Sequence, residues 1–178
     1  MDARLTARAL AAGELTQLAA IDRAEEIDGH YVVEHGALRY VAAPVQAPGW
    51  HPAAVDAHVA RLHEVVAAGG LVVGAWDERT LVGIAALDVR PVGGDARTME
   101  LDLLHVDRAH RGRGVARHLV AMLAVEARAR GATALYVSAT PTRNTVDAYR
   151  RLGAHLAPIP DPAHLAREPD DIHLLLPL

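Results

Sequence analysis

The stretch from Leu101 to Leu123 narrows what this chain can fold into more than any other. An apolar run, Leu101 to Val106, passes through a short turn rich in arginine and glycine, Asp107 to Gly114. A segment follows in which Val115, Leu119, Met122 and Leu123 recur at helical spacing. The reading is strand, tight turn, helix. Gly112 and Gly114 let the backbone approach a ligand with no Cβ in the way. The first turn of the helix adds unpaired N–H groups and about half a positive charge. Together these features form a cradle for a phosphate or pyrophosphate.

Two familiar phosphate patterns do not fit. A dinucleotide fold reads G-x-G-x-x-G early in a βαβ unit, whereas here Gly112 and Gly114 are followed by Ala116 and lie past mid-chain. A P-loop requires G-x-x-x-x-G-K-[ST], and this chain has no lysine. A tight connection in an α/β domain, with no ligand, is the plain structural alternative.

Arg111-Gly112-Arg113-Gly114-Val115-Ala116 resembles the acetyl-CoA loop of the GNAT superfamily of N-acetyltransferases, and Leu104-His105-Val106 sits where that family's fourth strand carries pantetheine. Leu135 to Ser138 resembles the fifth strand, and Asn144 to Leu152 the helix after it, ending at Gly153 as in the family's N…Y…LG block. Tyr136 to Pro141 through Tyr149, with Glu168 to Leu174, is similar to a little-characterised bacterial branch. The likeness runs from about residue 70 to the end, and more loosely before it.

At 178 residues the chain reads as one domain, 1–178. With 51% hydrophobic residues but no Phe, its core must be Leu, Val, Ile and Ala. A formal charge of −4 argues against general nucleic-acid binding; the arginines at 108, 111, 113 and 117 are a local exception beside the turn. There is no cysteine for a disulfide or thiol nucleophile. Neither a leader-like start nor a long apolar run is visible, so a cytoplasmic protein off the membrane is expected. Eleven histidines lack metal-ligand spacing, and no metal is expected.

Along the chain, a first strand is expected over Arg4 to Ala9 and a helix over Glu14 to Ile27. Residues 28–50 read as a hairpin around His35-Gly36 or as an ordered loop. A helix is expected from Pro52 to about Ala68, ended by Gly69-Gly70. Strands follow over Leu71 to Trp76, Leu81 to Val89 and Thr98 to Val106, and a last one over Ile172 to Leu176. This order implies an α/β (α+β) fold with a mixed sheet and helices on both faces. The resemblance adds that the sheet is mostly antiparallel and that its fourth and fifth strands splay apart to admit the cofactor arm.

The resemblance also implies roles. Main-chain groups of Leu104, His105 and Val106 would pair with the pantetheine, and those from Arg111 through Gly112, Arg113, Gly114 and Val115 to Ala116 would hold the pyrophosphate of acetyl-CoA. The N–H of His105 or Val106 would serve the oxyanion. Arg113 and Arg117 face a 3′-phosphate or form a solvated helix face. Tyr149 is the general acid of the family, or a core tyrosine. Asn144 binds pantetheine, or caps its helix with Asp147. Glu100, six residues before Val106, is the base or a charge on a half-exposed strand; on an alternating strand it shares a face with Asp102, Leu104 and Val106. Asp22, Glu25 and Glu26 are rivals, and water is another. The function implied is acetyl transfer from acetyl-CoA to a primary amine of a small molecule or peptide, with a homodimer left open. A CoA-binding regulatory module without chemistry and an unrelated nucleotide-binding domain are the alternatives. An acidic wall of Asp22, Glu25, Glu26 and Glu34 would suit a cationic acceptor.

Overall fold

The computed structural model describes residues 5–178. β4 (Leu71–Asp77) and β5 (Thr80–Asp88) are built from Val, Leu, Ile and Ala, and almost every position is buried, as in strands covered on both faces. They pair antiparallel across the turn at Glu78-Arg79. β1 (Leu5–Ala9) flanks β4, and β6 (Thr98–Val106) flanks β5. Arg4, where the first strand was expected to begin, lies outside the described residues along with the rest of the Met1 to Arg4 start. β7 (Ala134–Ala139) runs parallel to β6, β9 (Ile172–Pro177) pairs antiparallel with β7, and the short β8 (His155–Leu156) closes that edge. The order is β1-β4-β5-β6-β7-β9-β8, mixed and mostly antiparallel.

Helices cover both faces. α2 (Val115–Ala129) and α3 (Arg143–Arg151) bury Leu119, Leu123, Val146 and Tyr149 against Val73, Ala85, Leu101 and Val137. On the opposite face, α1 (Pro52–Ala67) and a 3₁₀ helix (Ala12–Ala20) bury Leu62, Val65, Leu15 and Leu18 against Trp76, Ile84 and Leu103. Each fully buried leucine contributes about 1.5–3 kcal/mol. The short α4 (Pro162–Arg167), unforeseen in the sequence, starts with proline in its first turn and Asp161 accepting from Ala163 and His164 N–H. No helix among the described residues is long and apolar enough to cross a membrane.

The helix expected over Glu14 to Ile27 is corrected. Leu15, Leu18 and Ile21 are spaced by three, the period of a 3₁₀ helix, whose side chains eclipse at i and i+3. The helix stops at Ala20. Beyond it the Asp22 N–H donates to Asp107 Oδ2 (3.0 Å), and the Asp22 carbonyl accepts from Arg108 N (2.8 Å). A contact 85 residues away thus overrides local periodicity.

Residues 25–27 instead open a strand. β2 (Glu25–Glu34) and β3 (Ala37–Ala47) form a separate hairpin, longer than the sequence suggested. His35 and Gly36 both have positive φ, 52° and 76°, the turn geometry that matches strand twist in two-residue hairpins. The hairpin is tied to the β7–α3 connection by a Tyr31 N–H to Pro141 carbonyl bond of 2.7 Å.

Two features of β6 position the site. It pairs with β7 only from Thr98 to Glu100, opposite Ala134 to Tyr136; beyond Glu100 and Tyr136 the strands part, which is the expected splay. On its other edge Leu101 pairs with Leu87 and Leu103 with Ala86, so Asp102 is an extra residue in a bulge.

Candidate active site

The bulge rearranges the faces of β6. Glu100 and Asp102 lie on the α1 side, and Leu103 joins them there in the core under α1. Leu104 and Val106 pack into the core under α2. The expectation that Glu100 and Asp102 share a face with Leu104 and Val106 is therefore corrected: one inserted residue switches the alternation. Main-chain direction follows too. Asp107 N–H donates to the Val82 carbonyl of β5 (2.9 Å). Antiparallel pairing alternates, so the amide and carbonyl of His105 point at β5 while those of Leu104 and Val106 point into the gap. Arg111 Nε, donating to the Val106 carbonyl at 3.2 Å, fits that direction. Of the two amides named for the oxyanion, only that of Val106 faces the gap.

Past the gap the chain makes a one-turn 3₁₀ helix, Arg108–His110, capped by the Asp107 side chain, and then the glycine turn. Gly112 and Gly114 have φ of 76° and 82°, the left-handed region that costs an L-residue roughly 1–2 kcal/mol. Glycine is required here by the turn itself. From Gly112 to Ala116 no backbone N–H reaches a protein acceptor with hydrogen-bond geometry among the described residues; His118 N–H, on the Gly114 carbonyl at 3.0 Å, is the first that does. Five consecutive amides at a helix N-terminus are open to a ligand. The Arg111 side chain folds back, with Nη2 donating to the Arg23 carbonyl at 3.3 Å. Arg113 and Arg117 are exposed.

On the α1 side of the gap lies a pocket of about 320 Å³ lined by Arg61, Glu64, Glu100, Asp102, Ser138, Arg167 and Glu168. Two of its residues, Glu100 and Asp102, cluster with the buried Asp88, their carboxylate oxygens within 4.8 Å of one another. Such a cluster is the donor set of a cation site, but three guanidiniums already meet its charge. Arg61 reaches Asp102 Oδ1 (2.7 Å), Asp88 Oδ2 (3.0 Å) and Glu100 Oε2 (3.4 Å). Arg90 holds both oxygens of Asp88 (3.0 and 2.9 Å), and Arg167 holds Glu100 Oε1 (2.8 Å). The pair of arginines keeps Asp88 below the usual carboxylate range against its burial. Burial pushes Asp102 up, Glu100 adding and Arg61 opposing. His164 Nε2 is 3.1 Å from Glu100 Oε1 without hydrogen-bond alignment. Glu100 is thus a buried, ion-paired group, not a half-exposed one.

Tyr149 is buried in the core under α3. Burial pushes its phenol well above the ordinary range, and the Asp171 charge adds to this. Asn144 is on the outer face of α3, where Nδ2 donates to Glu25 Oε1 at 2.7 Å. It does not cap the helix; Thr142 does, accepting from Thr145 N–H at 3.3 Å. The acidic wall expected from Asp22, Glu25, Glu26 and Glu34 is not assembled: Glu34 pairs with Arg39 at the hairpin tip, and Glu25 with Asn144. The carboxylates that do assemble sit across the sheet, on β5, β6 and α1 and just after α4.

His105 stacks edge-on between Trp50 (5.0 Å between centroids) and His58 (5.9 Å). Burial, with the charges of Arg23, His58 and Arg111, lowers it to about 3. A larger groove of about 970 Å³ lies outside α3, lined by Tyr31, Tyr40, Asp147 and Arg150 among others, away from the glycine turn.

A model of the Acetyltransferase (GNAT) family matches residues 30–154. No curated protein sequence matches the chain. Similar solved structures include a nourseothricin acetyltransferase at 23% identity, covering 98% of each chain with a TM-score of 0.73. A protein of Bacillus anthracis str. Ames in complex with acetyl coenzyme A is 13% identical, covers 98% of this chain and 99% of its own, and has a TM-score of 0.68. The paia N-acetyltransferase of Thermoplasma acidophilum in complex with coenzyme A has the same identity and coverage and a TM-score of 0.63.

Proposed function

Because the chain belongs to the Acetyltransferase (GNAT) family, we propose that this N-acetyltransferase moves an acetyl group from acetyl-CoA to a primary amine by direct attack. The observation that carries this reading is the row of open amides from Gly112 to Ala116 beside a gap in the sheet. Those amides suit a pyrophosphate, and the gap-facing groups of Leu104 and Val106 suit the amides of a pantetheine arm. Bound acetyl-CoA would supply the thioester carbonyl, with the Val106 N–H placed to serve its oxyanion. His105 contributes through its neighbours on β6, since its own main chain is turned to β5.

The acceptor enters from the α1 side. There four carboxylates and two guanidiniums line the pocket, which favours an ammonium over an anion. Tyr149 keeps its proton at neutral pH and is the donor to the departing sulfur. Asn144, held by Glu25 on the outer face of α3, is left without a cofactor role.

The test is binding and transfer together. Acetyl-CoA at ~100 times its Kd adds about 2.7 kcal/mol to stability and raises the melting temperature. Mass spectrometry then detects acetylation in a panel of primary amines that includes nourseothricin. Stabilisation with no transfer across the panel would leave a CoA-binding module instead. Tyr149→Phe lowers kcat by about 100-fold and leaves the melting shift with acetyl-CoA intact; unchanged kcat removes the acid role.

A further inference from the structure

We propose that Asp102 is the base that takes the proton from the acceptor ammonium, in place of Glu100. This rests on the N-acetyltransferase reading and on four observations. Asp102 is the first residue on the α1 face beyond the last β6–β7 pair, Glu100 with Tyr136, so it stands where the strands part. It is the extra residue of the bulge, on the same α1 face as Glu100, and its side chain lines the pocket. Its two oxygens differ: Oδ1 accepts from Arg61, and among the described residues no protein donor reaches Oδ2. Glu100 has no such opening, because Arg167 takes Oε1 and Arg61 takes Oε2. Asp88 is closed likewise, held by Arg90 and Arg61.

The electrostatics agree. Arg61 and Glu64 face Asp102 from α1, Asp88 from β5, Glu100 along β6, and Arg167 and Glu168 across the pocket. Burial and the Glu100 charge outweigh Arg61 and raise the proton affinity of Asp102. Arg61 holds one oxygen in place and leaves the other for the proton.

Asp102 Oδ2 accepts one proton from the ammonium and later releases it to water. The freed nitrogen lone pair forms the C–N bond to the thioester carbon. The C–S bond then breaks, its electron pair leaving on sulfur, and a second nitrogen-bound proton reaches that sulfur by way of the Tyr149 hydroxyl. The products are amide, thiol and one proton in solution.

The experiment is a kcat/KM profile against pH from 6 to 10 for wild type, Asp102→Asn and Glu100→Gln, on an amine that wild type acetylates. Asp102→Asn is expected to lose about 100-fold at pH 7, and the loss shrinks as pH nears the amine's own pKa, where free amine needs no base. Glu100→Gln changes the rate by a pH-independent factor. Melting with acetyl-CoA shows whether each variant is folded. If Asp102→Asn is not, Asp102→Glu keeps the charge for Arg61, displaces the carboxylate by a methylene, and lowers kcat with the amine KM held. A loss equal at every pH, no loss, or a pH-dependent loss in Glu100→Gln overturns the proposal. Absence of transfer by wild type would instead overturn the reading it rests on.

Discussion

On the α2 side of the β6–β7 gap the chain offers a ligand its own backbone. On the α1 side it offers charged side chains gathered from α1, β5, β6 and the region of α4. The first flank is the turn from Arg111 to Ala116, whose five open amides, Gly112 to Ala116, need only two left-handed glycines. The second is a network in which Arg61 alone touches three carboxylates from two strands. Backbone donors stay where the turn puts them and tolerate change in the side chains around them. A buried ion network stands only while every partner is present. One flank therefore suits a ligand bound through main-chain groups, and the other a ligand recognised by charge.

The largest effect should come from cutting the network. Arg61→Ala leaves Asp88, Glu100 and Asp102 short of a guanidinium in a site where the two acidic floors of β5 and β6 are almost fully buried. Breaking a buried pair costs about 3–5 kcal/mol; Arg61 is itself 26% exposed, which favours the lower end. At about 2–4 °C per kcal/mol for a domain of this size, the melting temperature should fall by roughly 6–12 °C. The acetyl-CoA shift, made on the other flank, should persist in the variant. A fall below about 2 °C would mean that water already screens the cluster.

A smaller effect separates the flanks by pH. His105 lies on the α1 flank, in contact with Trp50 and His58, and is lowered to about 3. In the unfolded chain it titrates near ~6.5. Between those values the unfolded chain binds a proton that the folded one refuses, so its contribution to stability is complete above ~6.5 and is lost as pH falls toward 3. At pH 5 the loss is about 2 kcal/mol. His105→Phe keeps a ring against Trp50 and removes the titration. Its melting temperature should fall less from pH 7 to pH 5 than that of wild type, and equal falls would show that other groups carry the acid sensitivity.

The same contrast explains what could be read in the sequence. Gly112, Gly114 and the helical spacing from Val115 to Leu123 are local, so strand, turn and helix appear where the residues place them. Most strands were legible for the same reason, with alternation or continuous apolar runs inside each. The segment from Ala12 to Glu34 was not, because the end of its helix is set by Asp107 and Arg108, far along the chain. The acidic pocket was illegible because its residues meet only in three dimensions. The bulge at Asp102 was hidden too: Leu101-Asp102-Leu103-Leu104 scans as ordinary strand, and only the two adjacent leucines after Asp102 hint that the alternation breaks there.

The smallest effect tests the α2 flank against itself. If backbone carries the binding, then changing a φ should matter more than removing a charge. A Cβ added at Gly112 would meet nothing within 4 Å, so Gly112→Ala introduces no clash; its whole cost is the left-handed backbone at φ 76°. That strain, roughly 1–2 kcal/mol, drives the turn to relax and moves the open amides out of line. Affinity for coenzyme A should drop about 5–30-fold, since ~1.4 kcal/mol is tenfold. Arg113→Ala removes an exposed cation that 0.15 M salt already screens beyond ~8 Å, and should weaken coenzyme A by less than about threefold, more at low salt. Calorimetric titration of both variants at two ionic strengths gives the order directly. Were Arg113→Ala the weaker binder at physiological salt, side-chain charge, and not the bare amides of the turn, would be holding the phosphates.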